Sequence, residues 1–107
     1  MRNNRAMTLA PHRIAVLAVD QVVGLDLGTP AQVFGTARTG DQEQLYTVDT
    51  CTAGARPVRS TAGFQVLPDH GLELIEAADT VIVPGIHGGP PLVDGTVDPD
   101  IAAALRA

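Results

Sequence analysis

The stretch that decides the fold runs from Arg13 to Phe34: Arg13-Ile14-Ala15-Val16-Leu17-Ala18-Val19-Asp20, then Gln21-Val22-Val23, then Gly24-Leu25-Asp26-Leu27-Gly28-Thr29-Pro30-Ala31-Gln32-Val33-Phe34. Its first seven residues carry one charge, at the leading end, and no polar alternation. A strand with one wetted face alternates apolar and polar residues, whereas one covered on both faces does not. Arg13 to Val19 therefore reads as a central parallel strand ended by Asp20. Val22 to Leu27 carries the chain over the strand end. Thr29-Pro30 then has the form of a helix start, with Thr as N-cap and Pro at the first helical position. Ala31, Val33, Phe34 and Ala37 supply the expected inward stripe, and Gly40 the expected stop.

Downstream, Leu45 to Cys51 has the Tyr, Thr and Val content of a second strand. Pro57 to Leu67 reads as two short strands about a turn at Ala62-Gly63. Leu72 to Ala78 gives about two helical turns with Leu72, Leu74 and Ile75 inward, following a turn at Asp69 and His70. Thr80 to Val83 is a further buried strand, cut by Pro84-Gly85. A Gly- and Pro-rich loop, Gly85 to Gly95, leads to a helix capped by Asp98 with Pro99 at its first position; Ile101, Ala104 and Leu105 form its apolar face. Strands alternating with helices imply an α/β fold, a doubly wound parallel sheet with right-handed crossovers. The expected division is a disordered leader over residues 1–12 and one domain over 13–107. The alternation stops before a closing strand, so the strand and sharp turn that end such a fold are expected beyond residue 107.

Composition narrows the function. The chain has 107 residues, a net charge of −5 and 45% hydrophobic residues, which suits one globular domain. The seven basic residues are all arginines, at positions 2, 5, 13, 38, 56, 59 and 106. No run collects them, so the segment has no electrostatic footprint for nucleic acid. The apolar runs are too short to cross a bilayer, and Met1 to Pro11 lacks the apolar core of a secretory signal. A single cysteine, Cys51, makes no internal disulfide. Together these features point to a cytoplasmic protein.

Sites in doubly wound folds lie beyond the carboxyl ends of the strands. Two loops qualify: Asp20 to Leu27, and Pro84 to Gly89. Asp26, between Leu25 and Leu27, has an apolar setting in which burial would raise its pKa and let it hold a proton for a neighbouring nucleophile. On spacing alone the favoured reading is the plainer one, a cap on the helix that begins just after it. Pro84-Gly85-Ile86-His87-Gly88-Gly89 offers backbone N–H groups at a strand end, as an anion or oxyanion site would, or serves as a plain connection. It lacks G-x-G-x-x-G and the Lys-Ser/Thr of a P-loop. His12, His70 and His87 match no metal-ligand spacing and read as surface or loop residues, His12 in the leader; no metal and no cofactor are expected. Cys51, ending an apolar strand, reads as an inert buried thiol.

Gly24 to Phe34, together with Val58-Arg59-Ser60-Thr61-Ala62-Gly63-Phe64, Pro68-Asp69-His70 and Asp79-Thr80-Val81-Ile82-Val83-Pro84-Gly85, resembles the DJ-1/PfpI group, and within it the domains fused to AraC-type helix-turn-helix units in GlxA-like regulators. The resemblance covers about residues 13 to 107 and the first half of that family's domain. It implies a flavodoxin-like, class I glutamine-amidotransferase-like fold, cut before the nucleophile elbow. It makes Asp26 similar to the acidic residue that hydrogen-bonds the elbow cysteine, and puts Gly85, Ile86 and His87 in the oxyanion or ligand loop. Two departures stand out: Ile86 replaces a usual second glycine, and Gly28-Thr29-Pro30 replaces Gly directly before Pro. No residue of this chain matches the elbow cysteine.

The resemblance implies a sensing and dimerising part of a regulator: an unidentified small-molecule ligand, a homodimer in the full-length form, and no contact with nucleic acid or membrane by this segment. The alternatives are a fragment of an isonitrile-hydratase-like or amidase-like enzyme, and a truncated product without activity. An unfinished sheet would leave an open edge and an apolar face, from which self-association of the isolated chain is expected.

Overall fold

A computed structural model of the chain describes residues 10–88, 95 and 97–106. The central strand is β1 (His12–Leu17), flanked in parallel by β2 (Tyr46–Cys51) and β5 (Thr80–Ile82), giving the order β2-β1-β5. A separate antiparallel pair, β3 (Val58–Arg59) and β4 (Gln65–Val66), matches Val58 with Val66 across the turn. Among the described residues the helices are α1 (Gly24–Phe34), α2 (Glu73–Ala77) and α3 (Pro99–Arg106). A 3-10 turn at Ala53–Ala55 follows β2.

Period-two alternation sorts the sheet into two faces. Register aligns His12 with Tyr46 and Ile14 with Thr80, so His12, Ile14, Tyr46, Thr80 and Ile82 share one face. Here α1 rests through Phe34, whose ring meets Tyr46 edge-on at 5.0 Å. On the opposite face Leu17 and Cys51 pack with Ile75 of α2 and Ile101 of α3, and Val81 joins them from β5. Helices on both faces explain why Ile14 to Ala18 are all buried and why the sequence there carries no alternation. Asp98 Oδ1 accepts the Asp100 N–H at 2.8 Å, the expected cap of α3.

Several sequence expectations need correction. Helix α1 begins at Gly24, five residues before Thr29-Pro30, and ends at Phe34 rather than Gly40. Thr29 is no cap; its hydroxyl donates back to the Leu25 carbonyl at 2.7 Å. Pro30 lies inside the helix, is its one buried residue, and supplies no N–H for the Asp26 carbonyl. The expected inward stripe fails in part: Ala31 is exposed and Val33 is 56% exposed, while Phe34 and Ala37 are half-buried. Strand β5 is paired on one side only among the described residues and is half-exposed. His12 opens β1 instead of lying in a leader, and its Nε2 lies 2.7 Å from the Thr80 hydroxyl. Residues 1–9 of the expected leader, and most of the loop from 89 to 96, fall outside the described residues.

Burial separates the leucines by their expected energetic weight. Leu17 is 1% exposed at the centre of the core, and Leu25 is 79% exposed on α1. Urea denaturation should find Leu17→Ala destabilising by about 2–5 kcal/mol, against less than about 0.5 kcal/mol for Leu25→Ala. Equal losses would contradict this assignment of the core.

Candidate functional site

Asp20 to Val23 crosses the end of β1 and is held from two sides. Its carboxylate Asp20 Oδ1 accepts the Arg59 N–H at 2.9 Å. Gln21 donates its N–H to the Arg59 carbonyl at 2.8 Å, and Thr61 donates to Val22 at 2.9 Å. On the other flank, Val23 donates to the Gly85 carbonyl at 2.8 Å and His87 donates to Gln21 at 2.9 Å. Val22 thus bridges Ser60 of the hairpin and Ile86 of the loop after β5, and it is fully buried. Gln21 adopts φ 69°, a left-handed conformation that a non-glycine residue enters at a cost.

This crossing sets where α1 starts and where Asp26 points. Val23, at the N-cap position, offers no side-chain cap; its N–H goes to Gly85 instead. Gly24 fits closely against the hairpin turn, since a Cβ there would lie 2.8 Å from that of Ala62. Asp26 follows in the first helical turn, where the exposed amides favour a carboxylate. It is not the cap, because the helix begins two residues earlier. It is also not buried: the residue is exposed, so the expected apolar enclosure is absent. Its Oδ2 does reach the second loop, lying 2.8 Å from where a Cβ on Gly85 would stand.

The structure therefore brings Asp26 and Gly85 together, with Ile86 beside them. His87 is exposed and its N–H is taken by Gln21. Val22 and Ile86 form the kind of antiparallel pair whose own N–H and C=O groups face outward. The N–H groups of Gly85 and Ile86 have no protein acceptor among the described residues. A carboxylate beside Gly85 can orient a proton, and open amides in the same loop can hold a partial negative charge.

A nucleophile is not part of this set among the described residues. Cys51 is fully buried on the sheet face opposite α1, and burial, aided by the Glu73 carboxylate, pushes its thiol up to about 11. Glu73 itself is held below the usual carboxylate range by its own N–H and that of Gly71, whose N–H reaches Oε1 at 3.0 Å. His70 stands 3.8 Å from Asp49 across the end of β2. No group of three metal-ligating side chains occurs among the described residues. No described helix is long and apolar enough to cross a membrane. Sequence reasoning missed Gln21, whose left-handed turn has no compositional signal, and the Asp20–Arg59 tie, for which a carboxylate at a strand end was the only cue.

Likeness to two solved structures gives the fold: doubly wound and flavodoxin-like, of the class I glutamine-amidotransferase-like kind. A DJ-1 superfamily protein of Agrobacterium tumefaciens matches 89% of the chain at TM-score 0.58 and 23% identity. A protein of Vibrio parahaemolyticus provisionally assigned as a transcriptional regulator matches 91% of it at TM-score 0.68 and 19% identity. The chain spans about half the length of these structures, 46% and 50%. In sequence, the chain is 36% identical over 100 residues to the uncharacterized protein of the cpoL 5′ region of Streptomyces lividans, covering 94% of this chain and 67% of that protein. It belongs to the same family as that protein. No protein-family model matches the chain.

Two predictions test this geometry. Gly85→Ala should cost about 1 kcal/mol as its methyl displaces the Asp26 carboxylate, and that cost should vanish in an Asp26→Ala background when the double-mutant cycle is measured by denaturation. Equal costs in both backgrounds would remove the contact. For Cys51, the folded thiol ionises at about 11 against an ordinary value of 9.0. Its contribution to stability is therefore fully present below pH 9.0 and lost as pH rises toward about 11. Stability should fall across that window, less in Cys51→Ala, and iodoacetamide should label native Cys51 only as fast as the chain unfolds. Rapid labelling of folded protein would contradict its burial.

Proposed function

We propose that this chain is the sensing and dimerising module of a cytoplasmic transcriptional regulator, of the GlxA-like type joined to an AraC-type helix-turn-helix domain. In this reading it binds a small molecule, pairs with a second copy in the full-length form, and touches no DNA itself. The observation that carries it is the pairing of Asp26 with the Gly85–Ile86 loop while the chain's single thiol is sealed in the core. This reading makes Asp26 and the Gly85–Ile86 loop the ligand site, and the buried Cys51 thiol is not beside them. The dispersed arginines and net charge of −5 support the absence of DNA contact. The regulator assignment of the Vibrio protein supports the same direction.

A hydrolase or hydratase reading has one observation in its favour, the Asp26 carboxylate set against the loop of Gly85 and Ile86, and it requires a thiol other than Cys51.

Transcript profiling in the native host separates the two readings. Deletion of the gene should change the levels of a defined transcript set, and chromosomal Asp26→Ala should alter that response while leaving protein abundance unchanged. Gel-shift assays with this chain alone should show no retarded duplex. An unchanged transcript profile after deletion would end the regulator reading.

A further inference from the structure

We draw no further inference here: the strongest candidate, the apolar cavity of about 590 Å³ between the ends of β1 and β5 and helix α3, lies beside the edge of β5 that is unpaired among the described residues, and nothing in the structure shows what covers it.

Discussion

The arrangement depends on the backbone of three residues, Gln21 to Val23, which ties together segments that have no other reason to meet. A three-stranded parallel sheet brings strand ends to one rim but does not fix the loops that leave them. Here the Asp20–Val23 crossing gives hydrogen bonds to the hairpin at Arg59 and Thr61, and to the loop after β5 at Gly85 and His87. Each bond alone contributes about 1 kcal/mol. Their common geometry is what matters, because Val22 is fully buried and leaving any of its backbone partners unpaired would cost desolvation as well. The left-handed Gln21 is the local cost of making that turn.

The start of helix α1 follows from the same constraint, and this is where the sequence misleads. Thr29-Pro30 has the form of a helix start, Thr as N-cap and Pro at the first helical position, yet it sits in the middle of the helix. The true start has no side-chain cap and is specified by long-range contacts, Val23 to Gly85 and Gly24 to Ala62. Such contacts leave no local pattern. The central strand shows the opposite case. Arg13 to Val19 was legible because a strand covered on both faces needs apolar residues at every position, whatever packs on it. The hairpin and α3 were legible for a local reason too: the turn at Ala62-Gly63 and the Asp98 cap act within a few residues. For Asp26 the sequence indicated the right loop and the wrong environment. Neighbouring leucines suggested enclosure, but Leu25 points to solvent and only half-buried Leu27 turns inward.

The two faces of the sheet are unequally covered. The face under α2 and α3 holds the core and the sealed cysteine, whereas the face under α1 leaves Val33 and Leu25 in water and Phe34 resting on Tyr46. Helix α1 is therefore held more by its first turn and its aromatic contact than by an apolar stripe. The rim of the sheet follows this asymmetry. Asp26 stands on the α1 side, and the apolar cavity opens on the α3 side.

Between those two places runs a single short segment, Pro84 to His87. Gly85 meets the Asp26 carboxylate, while Pro84 and Ile86 line the cavity. The segment is anchored by two backbone bonds, both to Gln21–Val23 and both on one flank. Because Gly85 has only 2.8 Å between its notional Cβ position and Asp26 Oδ2, a small displacement there changes whether the carboxylate still fits.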